Sequence, residues 1–430
     1  MKILHTADLH LGQIIYQNYE RNDEHDCFFS QLERWCQEEQ PDALIVSGDV
    51  FDIQQPSAAV WKSFTDRFVR LHQASPTMHL VIVAGNHDSA SRIQSNHEIW
   101  KLANTHLIGT PPPADFTSAD EWQKNFIISL PNGYIIALPY MTGERTSMIQ
   151  SLLDYVKAEN TEGKPVIMTG HLTVKGSDMT GHDFDIGHIR TQEIASLGTG
   201  YDYLALGHIH RPQTIGHRDD NQQTDVTYPA PVIRYAGSAL HVSSDENYPH
   251  TVSVIEIKSH GGKVRIRQLR INELRHFYLL PANETAFASA EEALNGIKQF
   301  AEKGGRGYIR LQMDYATSLP SDFNQMVYTI TDAYNGELRY NPKIKWTGTS
   351  ENNTVEATKP KFEVAEIQQM TNPVLFIEKT KQQYPELDMD EVRQAFVEIE
   401  AEVNVWQKKA MLRAKKQYRI NRINSRFRSL

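Results

Sequence analysis

Residues 43–52 read Ala-Leu-Ile-Val-Ser-Gly-Asp-Val-Phe-Asp, an apolar run with β-branched members that ends in a glycine and a carboxylate. A short run of this kind reads as a core strand of a parallel sheet, and ligands of α/β sheets gather at the carboxyl ends of such strands. Asp49 is therefore expected where a buried strand opens into a cleft, as a metal ligand whose companions come from other strand ends. The neighbouring sequence alternates in the same way. Strand-like runs at 3–7, 43–47 and 80–84 alternate with helix-like runs at 25–40, 57–73 and 90–102, which predicts parallel pairing. Beyond 126 the pattern shifts toward antiparallel pairs, 126–130 with 134–138 around Pro131-Asn132-Gly133, and 251–257 with 264–269 around Gly261-Gly262. Two helix-flanked sheets are the natural packing.

From 276 a second unit reads strand, helix, strand, helix, strand as far as 346, a small α+β domain. Residues 347–362 lack a run of large apolar side chains and read as a linker. From 363 onward a seam of Met389, Val392, Phe396, Ile399, Val403 and Trp406 recurs at steps of three and four, suited to a helical hairpin or to a partner's groove. The expected order is thus 1–275, 276–346, linker 347–362, helical segment 363–405 and tail 406–430.

Composition is that of a globular protein, with 40% hydrophobic and 23% charged residues. Met1 leads within a few residues to Asp8 and no run approaches membrane-spanning length, so a cytoplasmic location is expected, with no membrane partner. Cys27 and Cys36 fall on opposite faces of one helix and cannot pair locally, which fits a reducing compartment. The net charge of −9 conceals an asymmetry: residues 407–430 hold nine Lys or Arg and no acid, leaving 35 basic against 53 acidic groups before them. That basic tail is a candidate for phosphate contact. The acidic remainder would repel phosphates unless divalent cations invert the local sign.

Five polar clusters stand at ends of expected strands: Asp8-Leu9-His10, Gly48-Asp49, Gly85-Asn86-His87-Asp88, Gly170-His171 and Gly207-His208-Ile209-His210. In an extended segment residues i and i+2 point the same way, so Asp8 with His10, and His208 with His210, chelate as pairs. Imidazole, carboxylate and an Asn carbonyl without thiolate suit manganese, iron or zinc. Seven donors are too many for one tetrahedral ion and fit two ions that share a carboxylate, the arrangement that clamps both oxygens of an in-line displacement at phosphorus. The glycines are read as turns or close approaches that aim the next side chain. Helix capping would account for an isolated Asp8 or Asp49, but not for their companion histidines. The remaining histidines are assigned to the surface or to structural hydrogen bonds, except His182 and His188, which lie in a glycine-containing loop and are candidates to approach a substrate. Lys175 and Arg211 follow ligand histidines closely and are candidate phosphate contacts.

In this order the clusters resemble those of the calcineurin-like metallophosphoesterases. The GDVFD and GNHDS wording, the small second domain and the terminal helices resemble more narrowly the nuclease subunits of bacterial complexes with an SMC-like ABC ATPase. The resemblance implies a two-sheet β-sandwich flanked by helices with a capping domain. It implies one Mn2+ held by Asp8, His10, Asp49 and His210, another by Asp49, Asn86, His171 and His208, and a catalytic His87 oriented by Asp88. Other divalent cations remain open. It further implies DNA as substrate, double-strand exonuclease with single-strand or hairpin endonuclease activity, docking of 363–405 on the ATPase, and a homodimer. Ala58, Val60, Trp61, Phe64, Phe68 and Trp100 are open to either a dimer interface or the core. Related families often end the second motif with His where this chain has Asp52, which is taken here to orient a ligand histidine. The alternatives are a stand-alone phosphoesterase on nucleotides or phosphoproteins, and a scaffold for the ATPase without catalysis.

Overall fold

The computed structural model describes residues 1–347 except 17, 112–122, 142–145, 180–190, 218–223, 243–245, 247 and 283–284. The linker from 348, the helical seam, the basic tail and His182 and His188 therefore lie outside the described residues.

The Ala43–Ser47 strand is buried along its whole length and pairs in parallel with Lys2–Thr6 on one side and His79–Val83 on the other. Its period of two divides the core. Ala43 and Ile45 join Ile3, Val81 and Val83 in an apolar cluster facing a second sheet. Leu44 and Val46 join Leu4, Leu80 and Ile82 in a cluster covered by helices. This first sheet has seven strands, in the order Asp225–Pro229, Lys263–Arg270, Thr251–Ile257, Lys2–Thr6, Ala43–Ser47, His79–Val83 and Thr105–Ile108. Helices Asn22–Glu39 and Ala58–Ala74 cover its outer face with Phe28, Phe29, Leu32, Phe64, Phe68 and Leu71. Phe64 and Phe68 are core residues of this layer, and Trp61 and Trp100 pack against the same cluster. The helix-like run at 90–102 is two short helices, Ala90–Gln94 and His97–Lys101.

The second sheet runs Gln213–Thr214, Val232–Tyr235, Tyr203–Gly207, Val166–His171, Gly133–Ala137, Ile127–Leu130. Here the expected shift to antiparallel pairing holds only in part. The 127–130/133–137 and 251–257/263–270 hairpins are antiparallel, as is the short Gln213–Thr214 strand against Val232–Tyr235, but Gly133–Ala137, Val166–His171, Tyr203–Gly207 and Val232–Tyr235 pair in parallel within the second sheet. The hairpins had turn signals to reveal them, whereas runs such as Val166–His171 are apolar on both faces and carry no mark of direction. Between the sheets a polar chain sits inside the core: His5 bonds Tyr203 Oη and Ser47 Oγ, and Ser47 Oγ reaches Thr169 Oγ1 at 2.8 Å.

A third sheet, Phe277–Leu280, Gly307–Asp314 and Leu338–Thr347, is parallel throughout, with Ala290–Glu302 and Phe323–Asp332 as its crossover helices. It has its own apolar cluster around Ile297, Ile309, Leu311, Val327 and Tyr340. Tyr308 Oη donates to Glu24 at 2.5 Å and Arg339 to Glu24 at 3.2 Å, which binds this sheet to the first helix. Parallel strands in both main sheets put several carboxyl ends on one edge, and all five polar clusters stand at or just beyond those ends.

Candidate metal centre

The loops leaving the first two strands stay paired beyond the sheet, with Asp8 N–H on Gly48 O at 3.0 Å and His10 N–H on Asp49 O at 3.0 Å. They then turn sharply. Asp8, His10, Asp49 and His208 have φ of 51°, 46°, 47° and 92°, a region that costs an L-residue about 1–2 kcal/mol. Strain at four residues of one cleft marks a site whose side-chain directions are imposed by the surrounding packing. The glycines do this in two ways. Gly48 has φ 86°, and a Cβ there would stand 2.2 Å from His171 Nδ1; a Cβ at Gly85 would stand 2.1 Å from Asp49 Oδ1. Gly170 differs from expectation: it has ordinary space and lies within the Val166–His171 strand, so it is neither turn nor close approach.

The structure brings the seven donors together. Asp49 Oδ2 lies 3.3 Å from His171 Nε2 and 4.0 Å from His10 Nε2, between two groups of side chains. On one side the His10 and His210 rings are 5.4 Å apart. On the other, the His171 and His208 rings are 5.0 Å apart and Asn86 Oδ1 is 2.9 Å from His171 Nε2. Asp8 accepts from His208 N–H at 2.9 Å, joining the two sheets, and stands 3.7 Å from His171 Nδ1. Asp8, His10, Asp49, His171 and His210 are buried; Asn86 and His208 are half-buried.

The donors are themselves held in orientation. His171 Nδ1 faces the Ser47 carbonyl at 2.9 Å, leaving Nε2 toward Asp49. Glu246 Oε1 is 3.6 Å from His210 Nδ1, and Asp52 Oδ1 is 3.5 Å from His10 Nδ1. Carboxylates and carbonyls behind imidazoles are the usual supports of metal-ligating histidines. Glu246 escaped the sequence reading because nothing in its spacing links it to His210. Asp88, expected to orient His87, does something else. It accepts from Gly85, Val50 and Phe51 N–H at 2.8, 3.1 and 2.9 Å, so it ties two motif loops together. The His87 ring, which is exposed, is held instead by the Asp52 carbonyl at 2.7 Å from Nδ1, while its backbone N–H donates to Asp49 Oδ1 at 2.9 Å. Lys175 pairs with Glu193 at 2.8 Å and Arg211 with Asp178 at 2.5 Å, so both candidate phosphate contacts are engaged with surface carboxylates.

So many buried ionisable groups perturb one another. Burial raises the Asp8 carboxyl above its ordinary range. Burial works against the Asp49 carboxylate too, but the His171 and His10 imidazoles overcome it and hold Asp49 below its usual value. Burial lowers His171, and the Asp49 and Asp8 charges reverse this and lift it to about 9. Burial and the Asp49 charge push Asp88 up to about 6 against its three N–H bonds.

These residues fit divalent cations. His10 is 4% exposed and its Nε2 has no hydrogen-bond partner, a state that a buried imidazole nitrogen rarely tolerates. Asp49, His171 and His208 offer ligand atoms within 4.8 Å of one another. A nitrogen and oxygen donor set is that of manganese, iron or zinc.

Residues 1–212 match the calcineurin-like phosphoesterase family. The D subunit of the SbcCD nuclease of Escherichia coli strain K12 is 30% identical over 275 residues, covering 59% of this chain and 65% of that subunit. The D subunits of Rhodobacter capsulatus and Bacillus subtilis are 27% and 26% identical, covering 66% and 60% of this chain and 73% and 66% of their own lengths. The polar clusters, the paired sheets and these relatives converge: residues 1–212 are similar to the calcineurin-like phosphoesterases, and the chain is similar to the D subunits of SbcCD nucleases, with the match to the Escherichia coli subunit spanning 65% of that subunit's length.

Proposed function

We propose that this chain is a manganese-dependent DNA phosphodiesterase, the nuclease subunit of a complex with an SbcC-type SMC-like ABC ATPase. The observation that carries the reading is the position of Asp49 between two groups of donors. On this reading Asp8, His10, Asp49 and His210 hold one cation, and Asp49, Asn86, His171 and His208 hold the other. Two such cations supply Lewis-acid stabilisation of the attacking and leaving oxygens in an in-line displacement at phosphorus.

The chain's own residues prepare this chemistry. The Ser47 carbonyl, Glu246 and Asp52 keep the ligand rings aimed. Nδ1–H of His87 donates to the Asp52 carbonyl, which leaves Nε2 as the atom that carries a proton to the leaving oxygen or stabilises its charge. Exposure of His87 at the cleft mouth suits contact with a polymeric substrate. Asp88 acts as a positioning residue rather than a catalytic one.

Similarity to the D subunits of SbcCD nucleases supports nuclease action, and exonuclease action on duplex ends with endonuclease action on single strands or hairpins is the finer form of the proposal. It places the chain in DNA end processing during repair, recombination and replication, in the cytoplasm, as a homodimer with two ATPases. Among the described residues no helix is long and apolar enough to cross a membrane. One experiment tests the reading: the purified chain, with and without the ATPase, is incubated with end-labelled duplex, hairpin DNA and a small phosphodiester, in Mn2+ and then in chelator. Metal-dependent DNA cleavage is expected. Cleavage of the small ester but never of DNA points to a stand-alone phosphoesterase, and no cleavage at all points to a scaffold.

A further inference from the structure

A second group of metal-type donors lies outside the seven. His241, His250 and Glu273 each offer a ligand atom, and these atoms lie within 4.8 Å of one another. They come from three separate segments: His241 after the Val232–Tyr235 strand, His250 just before Thr251–Ile257, and Glu273 between Lys263–Arg270 and Phe277–Leu280.

His250 is fully buried, and its Nδ1 is 2.8 Å from the Ser238 carbonyl, to which it donates. Nε2 makes no well-aligned hydrogen bond and faces Glu246 Oε2 at 3.3 Å. The His241 ring packs on that of His250 with centroids 4.2 Å apart, and its Nδ1 is 3.4 Å from Glu273 Oε1. Two carboxylates, Glu246 and Glu273, face these rings. Arg21 donates to the His241 carbonyl, to Gln13 Oε1 at 2.8 Å and to Glu24 at 2.6 Å, and Arg275 pairs with Asp23. His276, exposed, is 3.3 Å from Glu273 Oε2. A tetrahedral zinc site with bonds of about 2.0–2.1 Å to nitrogen or oxygen separates neighbouring donors by about 3.3 Å, close to the His241–Glu273 spacing. His241 and Glu273 line a cavity of about 950 Å³ together with Glu246, Tyr248, Phe277 and Arg310, and His250 lies buried behind them.

We propose that His241, His250 and Glu273 form a further divalent-metal site, of the two-imidazole, one-carboxylate type that takes Zn2+, with Glu246 behind it. The ion ties the segment carrying Glu246, the support of His210, to the segment that leads into the third sheet, and so acts as a structural clip between them. This site does not depend on how the cleft is used.

The test uses the full chain, stripped of metal by dialysis against chelator and titrated with Zn2+ against a chromophoric competitor. Glu273→Gln and His250→Gln should each bind one fewer Zn2+ per chain than wild type, with the circular dichroism spectrum retained. Equal stoichiometry in the folded variants would overturn the site. Anomalous scattering at the zinc edge from wild-type crystals locates the ion and covers the case in which a variant fails to fold. A peak among the three side chains supports the site, and a peak confined to the Asp49 cleft refutes it.

Discussion

Replacing Gly48 by alanine tests how a single backbone position holds the centre open. The new Cβ would stand 2.2 Å from His171 Nδ1 and 2.5 Å from its Cγ, where ordinary contact begins at 3.4 Å. The ring must therefore withdraw by about 1 Å, which breaks its bond to the Ser47 carbonyl, worth about 1 kcal/mol. The left-handed backbone at φ 86° costs an L-residue about 1–2 kcal/mol more. The sum, about 2–3 kcal/mol, lowers the melting temperature by several degrees. A displacement of about 1 Å in a ligand also costs roughly a hundredfold in rate. Gly170→Ala is the control, because its nearest Cβ contact is 3.5 Å and the residue precedes the same histidine. Thermal denaturation and Mn2+-dependent hydrolysis of bis(p-nitrophenyl) phosphate should separate the two variants. Equal activity and melting temperature for Gly48→Ala, Gly170→Ala and wild type would refute the reasoning.

Other substitutions probe separate parts of the account. Asp88→Asn leaves one oxygen where a carboxylate accepts three N–H groups, and should cost about 2–4 kcal/mol in urea unfolding while the pH profile ascribed to His87 keeps its shape. His87→Ala, at an exposed position, should lower kcat by about 10²–10⁴ with Mn2+ stoichiometry unchanged; loss of metal instead would make His87 a ligand. His5 is held down to about 3 by burial, from an ordinary 6.5. The unfolded chain thus takes up its proton first, so the stability His5 contributes is complete above pH 6.5 and is lost as pH falls toward 3. Denaturant midpoints from pH 8 to 4 should fall less steeply in His5→Gln than in wild type, and parallel slopes would count against this origin. Mn2+ at about a hundred times its dissociation constant should stabilise the fold by about 2.7 kcal/mol per site, and chelator should remove this. A melting temperature indifferent to both would mean that no cation is held in the native state.

The sequence pointed to the fold class and to the residues that the structure gathers around Asp49. The ligand candidates were legible because each stands after a short apolar run, where position along the chain and position in space coincide. The alternation of Ala43 to Val46 between two cores was likewise readable from its period of two. The parallel interior of the second sheet was not, since strands buried on both faces carry no sign of their direction. The partners of the ligands were hidden for a different reason. Glu246 lies 36 positions from His210 in a stretch with no motif, and the Asp52 and Ser47 groups that hold His87 and His171 are backbone carbonyls, which any residue type supplies. Asp88 was misread because adjacency to His87 suggested contact, whereas the turn after Gly85 directs the carboxylate back at its own loop and at Val50 and Phe51.

The central claim is that Asp49 is shared by two cations. Anomalous scattering at the manganese edge, from crystals of the full chain grown in Mn2+, tests it most directly. The account predicts two peaks about 3.5–4 Å apart with the Asp49 carboxylate between them. One peak, or two that leave Asp49 uncoordinated, would contradict it.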